Sequence, residues 1–360
     1  RPAPERALRP PPAAAPPMHP MRRGARQPFR FAVSEESRST ATTAAAGSAA
    51  ATAARPQNAL QRFLDGDLWY SFRTSPVAIG AAVVALVMIV GAVFAPWLAP
   101  HRPFDLASLS LMDSLLPPVW EGEGLWKYVL GTDDQGRDVL STILYGSRIS
   151  LLVGVASVLF AMLLGVGLGL LSGYVGGRLD AFIMRVADVQ LSFPAILIAL
   201  LIDGSARAIL PRDVHNDWLA IGVLVGSIGL ANWVQYARTV RGSTLVEKNR
   251  EYVQAARVIG VRPLRIMGRH VLPNVLGPVL VIATINVAQA IITEATLSFL
   301  GVGVPPTSPS LGTMINNGNN FLYSGEWWLV VFPGLALVLL CMSVNLLGDW
   351  LRDALNPKLR

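Results

Sequence analysis

The chain reads as an all-α polytopic membrane protein with six transmembrane helices, and three observations predict it. Of its 360 residues 52% are hydrophobic and only 15% charged, with a mean hydropathy of +0.46, outside soluble usage. The apolar residues are gathered in blocks of about 20, long enough for a helix to cross a hydrocarbon core. The segments between blocks differ in sign: 100–147 is acidic and 238–270 is basic. Basic loops stay on the cytoplasmic side, so these two segments are expected on opposite faces.

Residues 1–57 are rich in Ala, Pro, Arg, Ser and Thr, with hardly any large apolar side chains. They cannot bury enough surface to offset their ordering entropy, and a disordered cytoplasmic tail is expected. Met18 and Met21 are candidate starts within it, and its Arg-rich, acid-poor character also fits an organelle transit peptide. Residues 58–75 place Leu60, Phe63, Leu64, Trp69 and Phe72 among Arg62, Asp65 and Arg73, the pattern of an interfacial helix.

Residues 76–360 then carry the six spans. The first runs from Val77 to Ala95, closed by Pro96 and Pro100. The second covers about Ile149 to Ser172. Gly165, Gly169, Gly173 and Gly177 fall four apart there, either a stripe for close helix approach or the ordinary abundance of glycine in membrane helices. The third covers about Leu179 to Ile202. It holds Asp180, Arg185 and Asp188 in its first half, the last two spaced to pair, and Pro194 at an expected kink. A polar loop over 203–217 leads to the fourth, Trp218 to Ala237, where Gly222 and Gly226 repeat the small-residue spacing. The fifth runs from about Val275 to Leu297 and the sixth from Trp327 to Gly348. Six spans put both termini and the basic loop on one side.

That basic loop, about 238–272, carries eight Lys and Arg against Glu247 and Glu251. Val253, Ala256 and Ile259 recur at helical spacing, Gly260 suits the left-handed residue that ends a helix, and Pro263 suits the first turn of the next. The spacing alone leaves two readings, a grip for another protein or a plain basic loop.

Catalytic and metal chemistry are not indicated. The lysines are Lys127, Lys248 and Lys358, none in a P-loop context, and there is neither a nucleophile elbow nor a His-Glu-x-x-His motif. Uphill transport would therefore draw on a partner or an ion gradient. Cys341 is the single cysteine, so no intramolecular disulfide forms, and His19, His101, His215 and His270 lack metal-ligand spacing. The net charge of +7 is orientation information and not a nucleic-acid signal. In the fifth span Asn286, Gln289 and Glu294 are candidates to line or gate a route. The alternative for the two amides is interhelical bonding, and for Glu294 an interfacial or bonded position.

Four separated stretches resemble one family: Phe94–Pro100; Leu130–Ser141 continuing through Tyr145–Leu151; Glu251–Gly260 with His270–Asn274; and Glu294–Gly301 with Pro333-Gly334 and Asn345–Pro357. Together they resemble the C-type permease subunits of bacterial ABC importers for dipeptides, oligopeptides and nickel (DppC/OppC-like), over about residues 60–360. The resemblance implies a type I importer permease fold in the bacterial inner membrane. Its partners would be a second permease, two ABC ATPase subunits that bind the ATP and magnesium, and an extracytoplasmic solute-binding protein. It also implies that Glu251, Tyr252, Gln254, Ala255, Ala256, Arg257, Gly260 and Pro263 form an EAA-type coupling helix docking on an ATPase subunit. Gln254 stands where that family's name-giving glutamate is found, and Glu251 lies one turn earlier. Short peptides are the implied cargo, with nickel, glutathione or another small solute as alternatives. A stand-alone secondary transporter or channel is the reading from a different class.

Overall fold

The computed structural model describes residues 67–105, 109–209, 217–304 and 308–354. The expected tail 1–57, the first half of the interfacial helix and the last six residues lie outside the described residues. Described residues of the expected interfacial helix form α1 (Asp67–Thr74), and Phe72 meets the Trp350 ring edge-on at 5.2 Å.

The first span, α2 (Pro76–Val93), starts where Ser75 accepts from the Ala78 amide and Pro76 fills a position needing no N–H. The second, α3 (Val139–Val175), begins ten residues before the expected start of the span. The reason is its cap: the Asp138 carboxylate accepts from the Ser141 amide at 2.9 Å and from the Ser141 hydroxyl at 2.5 Å. Gly176 and Gly177, both at positive φ, turn the chain out of α3.

The third span departs from expectation. It is not one kinked helix but two, α4 (Gly177–Leu191) and α5 (Ala195–Ile209), set 97° apart. Pro194 has no N–H to continue the ladder, and α5 restarts directly after it. Among the described residues five helices are thus long and apolar enough to cross a membrane, and the bent pair makes up to six. The expected Arg185–Asp188 pair does not form; Asp188 instead accepts from Arg238 across to the next span at 2.5 Å. Residues 203–209 of the expected loop belong to α5, where Asp203 is fully buried and pairs with Arg207 at 2.6 Å; 210–216 lie outside the described residues.

The remaining long helices are α6 (Asp217–Glu247), α8 (Leu272–Phe299) and α10 (Trp328–Ala354), with short α7 (Glu251–Val258) and α9 (Leu311–Asn319) between them. The most extensive pairing is α3 on α6. A Cβ added at Gly165 would lie 2.5 Å from the Trp233 carbonyl, and one at Gly169 2.5 Å from the Ala237 carbonyl. At Gly173 it would sit 2.8 Å from Thr244 Cβ. These three glycines therefore let the α6 backbone approach. Gly177, Gly222 and Gly226 do not share that role, having open space at the Cβ position.

Candidate functional site

At the basic end, α7 stands between two spans and is built as its sequence dictates. Val253 and Ala256 are its buried residues, and Glu251 sits in the first turn, favoured by the helix dipole. The Val261 amide donates to the Ala256 carbonyl and the Gly260 amide to the Arg257 carbonyl, both at 3.0 Å, with Gly260 at φ +84°. That pair of bonds closes a Schellman corner, which needs a left-handed residue at position 260. Pro263 opens a short turn that passes into a π-helical turn, Ile266–Val271, and so into α8. The two expected helices and their corner are therefore present, with the second wound wider than an α-helix.

Side chains hold this segment onto the spans. Tyr252 donates to the Glu247 carboxylate at 2.6 Å and accepts from the Asn274 amide at 2.9 Å, bridging the end of α6 to the start of α8. Burial, and next the bond to Glu247, push the Tyr252 phenol above its ordinary pKa, so it keeps its donor proton. The Arg257 guanidinium lies over the Tyr174 ring of α3 at 4.9 Å, and Lys248 Nζ donates to the Gly173 carbonyl at 2.7 Å. Behind them Arg241 grips Asp180 bidentately, Nε to Oδ1 at 2.5 Å and Nη2 to Oδ2 at 2.7 Å. Gln254 donates to the Asn249 carbonyl at 3.0 Å, so its amide serves the loop before α7.

Among what the segment leaves uncovered are three large apolar side chains. Val258 is 89% exposed, Ile259 80% and Leu264 78%, clustered around the Gly260 corner with Arg262 and Arg265 exposed beside them. Glu251, Ala255 and Arg257 are exposed as well. Sequence periodicity assigned Ile259 to the helix stripe; the corner instead turns it outward.

Of the three residues expected along a route, Asn286 and Gln289 line one hollow and Glu294 lies apart from it. Glu294 is fully buried and lines no open face: its carboxylate accepts from Ser150 of α3 and from Ser298, each at 2.7 Å. Asn286 donates to the Tyr236 hydroxyl at 3.0 Å and to Gln235 Oε1 at 3.2 Å, joining α8 to α6. Gln289 is exposed on the same face of α8. Gln235, Tyr236 and Asn232 of α6 belong to this polar group, a juxtaposition that spacing along the chain does not reveal.

At the acidic end Asp133 organises the loop that precedes α3. Its carboxylate accepts from the Gln135 and Arg137 amides and from Arg137 Nε at 2.6 Å, and Thr132 bridges to Asp138.

Residues 165–360 match the family described as binding-protein-dependent transport system inner membrane component, and residues 66–118 match the N-terminal TM domain of oligopeptide transport permease C. The dipeptide transport system permease protein DppC of Haemophilus influenzae is 39% identical over 305 residues, 85% of this chain and 97% of that protein. DppC of Escherichia coli K12 is 41% identical over 306 residues, 85% and 95% of the two chains. A solved chain of the MetNI methionine ABC transporter, in inward-facing conformation, aligns at TM-score 0.47 and 19% identity over 60% of this chain and 96% of that one. The chain belongs to the family of binding-protein-dependent transport system inner membrane components, as a DppC/OppC-type permease.

Proposed function

We propose that this chain is one of two permease subunits of an ATP-driven importer that carries dipeptides and short oligopeptides delivered by an extracytoplasmic binding protein. The observation that carries the reading is the apolar tip of Val258, Ile259 and Leu264, held out on a fixed corner and flanked by arginines. Exposed apolar side chains clustered on a rigid polar segment mark a surface for another protein. No P-loop exists in the sequence, so that protein supplies the ATP hydrolysis. The basic end then faces the cytoplasm, with both termini, and the acidic loops face outward.

In this reading Glu251, Tyr252, Gln254, Ala255, Ala256, Arg257, Gly260 and Pro263 form the coupling element. Small Ala255 admits a close neighbour on the exposed face of α7, and Glu251 supplies the acid that position 254 lacks. A push on α7 reaches α3 through Arg257 and Tyr174, and α6 through Tyr252 and Glu247. The bundle thereby alternates its access. The chain binds no cofactor of its own, ATP and magnesium being held by the partners.

The test is coupling in the assembled importer. Gly260→Pro cannot adopt φ +84° and removes the amide that donates to Arg257, and Glu251→Arg reverses a charge on the exposed face. Each is expected to abolish peptide uptake and stimulation of ATP hydrolysis while membrane insertion is retained. Uptake at the unsubstituted rate in both variants would sink the assignment.

A further inference from the structure

Midway along the bundle, α3, α6 and α8 flank a small hollow whose wall carries the polar side chains Ser157, Asn232, Tyr236, Asn286 and Gln289 among apolar ones such as Ile228 and Ala290. It holds about 10 Å³, roughly the space that one water or one carbonyl oxygen fills. Ser157, on the wall of the hollow, is 1% exposed, and its Oγ is buried without a hydrogen-bond partner among the described residues. Gln289 lines the hollow and is exposed, and Gln235, also exposed, accepts from Asn286 beside it. Asn286 is the fourteenth residue before Leu300, the C-cap of α8, which puts it about 20 Å from that end and near the middle of a membrane. Neither 218–237 nor 275–293 contains Asp, Glu, Lys or Arg, so the surroundings are uncharged.

Amides at that depth cannot face hydrocarbon cheaply, because lipid tails offer no hydrogen bonds. Asn286 spends its donor on Gln235 and Tyr236, and Asn232 donates to the Ile228 carbonyl at 2.8 Å. The Gln289 amide is left with both a donor and an acceptor to offer, and the Ser157 hydroxyl with the same. A peptide main chain presents that same alternation of N–H and C=O whatever its side chains are. An uncharged amide pairs with either partner, whereas a charged side chain would select for the opposite charge.

We propose that Ser157 and Gln289, with Asn286 and Gln235 beside them, form a hydrogen-bonding station for the main chain of a peptide crossing the middle of the membrane. The proposal rests on the peptide-importer reading above and adds the group of the substrate that this chain recognises.

The experiment uses the full importer in proteoliposomes with saturating, peptide-loaded binding protein and measures ATP-driven uptake of trialanine. Gln289→Met keeps the side-chain length without its hydrogen bonds and is expected to lower uptake about three- to tenfold. Binding-protein-stimulated ATP hydrolysis and co-purification of the second permease should stay within about twofold of the unsubstituted importer. Gln289→Asn should recover more than half of the loss, and Ser157→Ala should cost about twofold or more. Trialanine methylated on its peptide nitrogens, which lacks those N–H groups, should lose less than trialanine in Gln289→Met. Unchanged uptake in Gln289→Met, equal losses for both peptides, or Asn no better than Met would each overturn the proposal. Loss of the second permease from Gln289→Met would assign the amide to subunit contact and overturn it too. An unsubstituted importer that takes up neither peptide with ATP would instead refute the peptide-importer reading beneath it.

Discussion

The Arg257 guanidinium lies over the Tyr174 ring, 4.9 Å from its centre, and so joins the short helix at the basic end to the last turn of a membrane span. A partially exposed cation–π pair contributes about 0.5–1 kcal/mol. Arg257→Ala or Tyr174→Leu should each lower peptide uptake per ATP hydrolysed about two- to fivefold in proteoliposomes. The double variant should be no worse than the poorer single one, since both remove the same contact. Losses that multiply would show the two residues acting separately.

Tyr252 makes a second joint, and its chemistry sets a pH prediction. Tyr252→Phe removes the bonds to Glu247 and Asn274 at a cost of about 1 kcal/mol. Faster amide exchange over 250–262 is expected, with the spans unchanged. Because burial and Glu247 raise the phenol's pKa, the donor is present in the native protein from about pH 6 to about pH 9. The ratio of Tyr252→Phe to unsubstituted uptake should therefore be flat over that range. A ratio that rises toward one as the pH climbs would mean that Tyr252 ionises there and has lost its donor.

Much of this was legible in the chain and some was not, for physical reasons. The helical corner could be read because Gly260 and Pro263 act locally, each through its own backbone preference. The broken third span could not, since Pro194 signals a disturbance without its size, and the bend became 97°. The short helix α9 reads as a loop, with four Asn and Gly among its last four positions. Tertiary contact decides it: Gly312 lies against Ala295 and Gly318 against Leu329, while Ser310 caps its start. The partner of Glu294 was equally invisible, because Ser150 is 144 residues away in sequence. Nor could spacing say that α6 supplies Gln235 and Tyr236 beside Asn286.

The close approach of α3 and α6 gives a matched pair of substitutions. Gly169→Ala would place a Cβ 2.5 Å from the Ala237 carbonyl and 2.9 Å from Val240 Cβ, so two backbones must part. Overpacking of that kind costs about 1–3 kcal/mol. Gly167→Ala meets nothing within 4 Å and gains helix propensity. Thermal unfolding in detergent should place Gly169→Ala several degrees below the unsubstituted protein and Gly167→Ala at or above it. Equal midpoints would show that the stripe does not set the interface.

Glu294 links α3 and α8 from inside the bundle, and the Leu311 amide donates to the same Ser150 hydroxyl at 3.4 Å, bringing in α9. Glu294→Ala would leave the Ser150 and Ser298 hydroxyls without their acceptor and open a void, at about 2–4 kcal/mol. Glu294→Gln keeps the volume, and since each serine can also accept, its amide can stay bonded. The expected outcome is a large fall in midpoint for Ala and a small one for Gln, with uptake by the Gln variant within about twofold of normal. Because the carboxylate is enclosed, its charge is not needed to contact cargo in this arrangement. A Gln variant that folds at the normal midpoint yet transports nothing would overturn that account and put the acid itself in the transport cycle.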